Sequence, residues 1–378
     1  ATDDAATPLD DTETVTVTIT GANDTPTVAI VDVTGAVTED ASTPNLTDSG
    51  SVTFAELDET DVVSSSVAIN SIATTGPAIP AGLTTALNTA LSLAQTGTND
   101  GSIAWDFSVA NSLTQYLAEG ETVTAVYTIT VNDDSGTGTD TVTLDVTVII
   151  TGTNDVPTIA IGDVIGAVTE DASTPTLTDS GSVTFAEIDD TDLISSSVAI
   201  SSTATTGPAI PVGLTTALNT ALSITQTGTN DGSIAWDFSV ANSLTQYLAD
   251  GETVSAVYTI TVSDDSGTGT DTVTQDVTVV IAGTNDTPTI TVVDAVGAVT
   301  EDALTPNLTD SGSVTFVEVD DTDVLNSSVS ISGTATTGPA IPAGLTTALS
   351  SALSLTQTRP MTSKSPRSIT QRFLKQMR

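Results

Sequence analysis

Threonine and apolar side chains alternate along much of the chain. In residues 14–20, Val15, Val17 and Ile19 stand between Thr14, Thr16, Thr18 and Thr20. A period of two places successive side chains on opposite faces, so this segment is expected as a half-buried strand. The same alternation predicts strands over 27–30, 51–57, 62–69, 103–107, 123–131 and 141–150. Trp105 and Phe107 share one face of theirs and are expected in the core. Asn99-Asp100-Gly101 reads as a hairpin turn. Leu83, Ala86, Leu87, Ala90 and Leu91 instead follow helical spacing, which predicts one short amphipathic helix packed on the sheets. Many short strands bounded by turn residues, with little helix, indicate a β-sandwich.

The pattern recurs. Gly152-Thr153-Asn154-Asp155-Val156-Pro157-Thr158 has counterparts at Gly21 to Thr27 and Gly283 to Thr289, so Asp24, Asp155 and Asp286 stand 131 residues apart. Trp105 returns as Trp236, Tyr116 as Tyr247, and Phe54 as Phe185 and Phe316. Such a step defines the domains: 1–22 as the last strand of a truncated repeat, 23–153 and 154–284 as full repeats, 285–358 as a partial one, and 359–378 as a non-repeat tail. A unit of this length can bury its own core, so tandem beads are expected rather than a solenoid. Each Asn-Asp-x-Pro segment is a stiff linker, because proline fixes its own φ and extends the residue before it. Its Asn and Asp offer the oxygen ligands that a hard cation such as calcium takes.

Charge changes the picture. The chain carries 48 Asp plus Glu against 6 Lys plus Arg, and all six cations lie after Gln357. No salt bridge can form within the repeats, so each clustered carboxylate must be solvated, protonated or neutralised by a bound cation. The same acidity could equally serve solubility alone. It disfavours nucleic acid and anionic membranes as partners. Without cysteine or histidine, Ser-His-Asp and Cys-His catalysis cannot be built, so no enzyme is expected. No apolar run is long enough to span a bilayer, and no signal segment stands at the start.

The stretch from Gly97 to Gly101, Trp105-Asp106-Phe107, the run Gln115 to Thr122, and the closing Thr-Gly-Thr-Asn-Asp-x-Pro-Thr together resemble the VCBS repeat of very large RTX-type bacterial surface adhesins. This resemblance implies tandem immunoglobulin-like or cadherin-like sandwiches that are exported to the cell surface or medium and bind calcium. It further implies a stalk in adhesion or biofilm formation. The glycine-rich nonapeptide of RTX proteins is absent.

Strand direction gives an independent expectation for the ligands. If the first strand runs down from its linker, Glu39-Asp40 falls near the next linker, while the loops after the second strand and before the last lie at the top. Carboxylates should then gather at the junctions. Asn23 and Asp24 would meet Asp58, Glu59, Asp61, Asp133 and Asp134. Glu39, Asp40, Asn154 and Asp155 would meet Asp189, Asp190, Asp192, Asp264 and Asp265. Glu170, Asp171, Asn285 and Asp286 would meet Asp320, Asp321 and Asp323. Calcium takes about six to eight oxygens, so not every member can be a direct ligand. Cadherin-type junctions look similar, with a glutamate from one domain, an Asn-Asp linker and an acidic loop from the next.

The leading expectation is therefore a calcium-stiffened extracellular spacer, with calcium ions and neighbouring repeats as partners and any matrix glycan gripped by domains outside this chain. Accessory repeats of a secreted hydrolase, or direct glycan binding, are the alternatives. After Thr358 the repeat match fails, and the basic stretch from Arg359 is expected to be frameshifted or disordered, leaving the third repeat unable to complete its sandwich.

Overall fold

The computed structural model describes all residues except 1–3, 5, 7–11, 139, 270, 306, 359–366 and 378, and the backbone alone near the C-terminus. Two compact units emerge. The first holds 1–155 with 187–192 and 266–271; the second holds 156–186, 193–265 and 272–378.

The first unit contains a two-sheet sandwich built from β1 (Thr27–Ile30), β2 (Thr34–Thr38), β3 (Asn45–Ala55), β4 (Ser64–Thr74), helix α1 (Ala81–Leu87), β5 (Leu91–Thr96), β6 (Gly101–Ala110), β7 (Thr122–Asn132) and β8 (Thr141–Thr151). One sheet runs β1-β3-β6-β5 and the other β2-β8-β7-β4. Pairing is antiparallel except between β2 and β8, which run parallel in the register Thr34↔Thr147 to Thr38↔Thr151. Alternation places Ile103, Trp105, Phe107 and Val109 inward from one sheet, and Ala125, Tyr127, Ile129, Val146, Val148 and Ile150 from the other. Phe107 meets Tyr127 edge-on with ring centroids 6.3 Å apart. Tyr127 Oη donates to Leu87 O at 2.9 Å, which ties the short helix to the core. Seven residues are too few to hold a helix alone, and burial of Leu83 and Leu87 supplies the rest. Trp105 lies across Gly50, where a Cβ would come within 2.5 Å of the ring.

The second unit repeats this plan with β9 (Thr158–Ala160), β10 (Ile165–Thr169), β11 (Thr176–Ala186), β12 (Ser195–Thr205), α2 (Val212–Leu218), β13 (Leu222–Thr227), β14 (Gly232–Ala241), β15 (Thr253–Ser263) and β16 (Thr272–Ala282). Its sheets are β13-β14-β11-β9 and β10-β16-β15-β12, closing on a core around Trp236 and Tyr258. The chain is thus all-β, with tandem β-sandwiches each carrying a short helix.

Beyond Gly283 only one sheet forms among the described residues. It uses β17 (Thr289–Asp294), β18 (Leu308–Asp310), β19 (Ser313–Glu318), β20 (Leu353–Thr358) and β21 (Arg367–Met377), with α3 (Ala343–Ala352) before β20. The tail, expected outside the fold, thus places 367–377 beside β19 as β6 lies beside β3. Its residues 359–366 and 378 lie outside the described residues. The counterpart of β4, residues 326–336, forms no strand there.

One expectation fails. Residues 14–20 are not in a strand, and Val15, Val17 and Ile19 are 83%, 78% and 91% exposed. A half-buried strand needs a neighbour for its backbone and an opposing face for its side chains, and the described residues provide neither.

Replacing Trp105 by alanine should destabilise the first sandwich by about 3–5 kcal/mol. Urea unfolding by circular dichroism should show that transition move to lower urea, while the fluorescence of the remaining Trp236 should not shift, because it sits in a separate core.

Candidate acidic junction sites

Strand β3 delivers the first acid. Val52, Phe54 and Glu56 share its inward face, so the alternation that buries two apolar side chains also buries a carboxylate at the strand end. Glu56 Oε1 accepts from the backbone N–H groups of Leu57 (2.7 Å) and Asp58 (3.0 Å), which curls the following loop around it. Linker residues close on that loop. Asp24 N–H donates to Asp58 Oδ2 at 2.8 Å, and Asn23 Nδ2 to Asp133 Oδ2 at 3.3 Å. Asp134 Oδ1 accepts from Val62 N–H at 2.8 Å. Asp61 is pushed above the ordinary carboxylate range by burial, then by Asp58, Asp133, Asp134 and Glu56.

The same construction recurs in the first unit around the next linker. Glu187 Oε1 accepts from Ile188 N–H at 2.7 Å and Asp189 N–H at 3.2 Å, and Asp155 N–H donates to Asp189 Oδ2 at 2.8 Å. Asp192 N–H turns back to Asp189 O at 3.2 Å, and Asp190 N–H reaches Tyr116 O at 3.2 Å. Thr191 Oγ1 donates to Glu121 at 3.0 Å. Glu39 is 1% exposed and accepts from Thr153 N–H at 2.7 Å, from the Thr153 hydroxyl and from Gln115 Nε2. Burial pushes Asp189 up to about 8, with Asp155, Asp192 and Glu187 adding repulsion against the Asp155 N–H bond. Asp155 is raised by burial and then by Glu39.

In the second unit, Asp286 N–H donates to Asp320 Oδ2 at 2.9 Å, Glu318 Oε1 accepts from Val319 N–H and Asp320 N–H, and Thr284 N–H donates to Glu170 at 2.6 Å. Asp323 N–H bonds Asp320 O at 3.3 Å, and Asp321 N–H bonds Tyr247 O at 3.1 Å. Burial raises Asp320 to about 6, and raises Asp286 ahead of the fields of Glu170 and Glu318. Asn154 and Asn285 each donate Nδ2 to the following Asp carbonyl at 3.0 Å.

Two of the expected carboxylates turn to their own loops. Asp40 and Asp171 instead close turns, accepting from Ser42 and Thr43 and from Ser173 and Thr174, which holds both carboxyls at about 2. Glu59 is exposed. Asp264 is buried in the second unit, where Asp265 accepts from Leu193 N–H at 2.8 Å. Conversely, Glu56, Glu187 and Glu318 were not anticipated. Their signal was the strand period, since each stands two positions beyond the inward phenylalanine Phe54, Phe185 or Phe316.

Among the described residues no group of three or more acidic side chains is drawn to the spacing that holds a metal ion. The donor set nonetheless fits calcium in kind, being hard oxygen throughout. Asp155 Oδ2, Asp286 Oδ2, Asp320 Oδ1 and Glu56 Oε2 are buried with no hydrogen-bond partner. A desolvated carboxylate oxygen is costly in that state unless protonated or bound to a cation.

No family model matches the chain, and no curated protein matches it. Among solved structures, zebrafish RET cadherin-like domains 1 to 4 are similar at 13% identity, covering 69% of this chain and 51% of that one with a TM-score of 0.23. Drosophila N-cadherin EC1-3 is similar at 11% identity over 69% and 68%, TM-score 0.22. CfaE, the adhesive subunit of the CFA/I fimbria of enterotoxigenic Escherichia coli, is similar at 12% identity over 69% and 87%, TM-score 0.30. This chain spans about half the length of the first of these.

The shifted acids predict an unusual pH profile when divalent metal is chelated. Asp189 and Asp320, raised to about 8 and about 6, hold protons more tightly folded than unfolded, so stability should rise as pH falls from about 8 to about 4. Asp40 and Asp171, held at about 2, act oppositely, and their stabilisation should be lost as pH falls below about 4. Thermal midpoints by circular dichroism in EDTA should therefore peak near pH 4, and a maximum at pH 8 would contradict the assignment.

Proposed function

We propose that these repeats form an extracellular, calcium-stiffened spacer of a bacterial surface adhesin, holding a distant gripping domain away from the cell. The observation that carries this reading is the meeting of linker Asp155 with Asp189 in a chain whose first 358 residues contain no Lys, Arg or His. Asp155, Asp189, Glu187 and Asp192 would hold the cation of one junction, and Asp286, Asp320, Glu318 and Asp323 that of the next. When bound, calcium supplies the positive charge that these carboxylates otherwise lack. Glu39 and Glu170 act by positioning. Each clamps the threonine before the Asn-Asp pair and so fixes the linker against the end of its own repeat. In the apo chain the carboxylates repel one another and the linker is free to bend; neutralised, they hold it straight.

Direct glycan binding by ring stacking draws no support from the tryptophans, since Trp105 and Trp236 are both 0% exposed.

Small-angle scattering during a calcium titration tests the reading. Wild-type chain should extend at millimolar calcium and gain about 2.7 kcal/mol of stability at a hundredfold excess over Kd. Asp155→Asn combined with Asp189→Asn should abolish the response of that junction while circular dichroism stays that of a folded β protein. An unchanged radius of gyration in wild type would defeat the stiffening mechanism.

A further inference from the structure

Each complete sandwich buries one glutamate that holds a hydroxyl and a carboxamide at once. Glu39, 1% exposed, accepts the Thr153 hydroxyl on Oε1 and the Gln115 carboxamide N–H on Oε2. Glu170, 0% exposed, accepts the Thr284 hydroxyl on Oε1 at 2.6 Å and Gln246 Nε2–H on Oε2 at 2.5 Å. Backbone N–H groups suffice to anchor a carboxylate, as Leu57 and Asp58 do for Glu56 Oε1. A hydroxyl beside a carboxamide adds something that anchoring does not require: a nucleophile and an electrophile sharing one proton carrier.

Both reacting groups are fixed in place from outside the pair. Thr153 N–H donates to Glu39 Oε1 at 2.7 Å, and Gly152 N–H just before it to Glu121 O at 2.8 Å. Gln115 Nε2 also donates to Asp40 O at 3.3 Å and to Asn111 Oδ1 at 3.5 Å, and Gln246 repeats this with Asp171 O at 3.2 Å and Asn242 Oδ1 at 3.4 Å. The supporting Asn111 and Thr114 are 5% and 0% exposed, and Asn242 and Thr245 are 4% and 0% exposed. Groups held side by side in this way react as one molecule, without the entropy cost of meeting. Burial of the carboxylate also keeps competing water from it.

We propose that Glu39 and Glu170, besides positioning the linkers, catalyse an internal ester bond, from Thr153 Oγ1 to Gln115 Cδ in the first sandwich and from Thr284 Oγ1 to Gln246 Cδ in the second. The carboxamide turns its carbon from one carboxylate oxygen toward the hydroxyl on the other. Glu39 Oε1 takes the hydroxyl proton as Oγ1 attacks Cδ, giving a tetrahedral intermediate. That intermediate collapses with loss of the C–N bond, and the proton passes from Glu39 to the departing nitrogen, which leaves as ammonia. Alcohol and carboxamide thus become ester and ammonia, and the glutamate ends as the carboxylate it began as. No partner outside the chain is consumed, and the bond is independent of the calcium reading. Gln115 precedes β7 and Thr153 follows β8, so the bond closes a covalent loop around both strands.

The test is the intact mass of the whole chain, denatured in acid so that an ester survives. Each bond removes one ammonia, about 17 Da, so the chain should weigh about 34 Da less than its sequence. Thr153→Val should halve that deficit, and Thr153→Val with Thr284→Val should remove it. Glu39→Gln keeps both bonding partners and should halve the deficit as well, with circular dichroism reporting a folded β protein in each variant. Digestion before aspartate should yield a linked peptide pair carrying Gln115 and Thr153, which alkaline hydroxylamine separates. A wild-type mass equal to that of the sequence, a deficit untouched by Thr153→Val, or an ammonia loss traced to another residue would each overturn the proposal. A full deficit in folded Glu39→Gln would overturn the catalytic role of the glutamate.

Discussion

The constraint on which the structure depends is the absence of any basic side chain from its first 358 residues. Buried carboxylates are normally paired with Arg or Lys. Here that option does not exist, and buried acids are held by neutral donors. Glu39 and Glu170 are each enclosed by a threonine and a glutamine, Glu56, Glu187 and Glu318 by the N–H groups of the loops they begin, and Asp189 and Asp320 by the linker. Neutral donors position an anion without cancelling its charge. Burial first, and then the repulsion that remains, raise the carboxyls of Asp155, Asp189, Asp286 and Asp320, and a hard cation would relieve both.

Much of the fold was legible in the sequence because its period is. Alternation from Val123 to Val131 and the pair Trp105 and Phe107 led directly to buried faces, and helical spacing at Leu83 and Leu87 to the one helix of the sandwich. The same rule misled at residues 14–20. Periodicity records which side chains suit a sheet, while pairing requires a second strand. At the sites, linker and loop acids such as Asp155 and Asp189 were found by charge and position. Glu187 and its counterpart Glu56 stand inside the strand pattern, where an acid in inward phase signals a buried ligand or anchor. Strand direction places the Glu39-Asp40 loop at the junction, yet neighbours on a chain need not point together. The Asp40 carboxylate turns to Ser42 and Thr43, two and three residues on.

Beyond Gly283 the fold shows how far one sheet proceeds without its partner. The β17-β19-β21-β18 layer forms, but Val314 stays half-buried where its counterparts Val52 and Val183 are 0% exposed in the complete sandwiches. Hydrogen bonding assembles a layer, and only a second layer dries its face.

The parallel pairing of β2 with β8 has a mechanical consequence. These strands lie near the two ends of the first sandwich, so tension applied along the chain pulls them past each other lengthwise. The bonds between Thr34–Thr38 and Thr147–Thr151 would then bear load together and have to rupture as a group, rather than open one after another like a zip. A bead wired in this way resists being drawn out by tension.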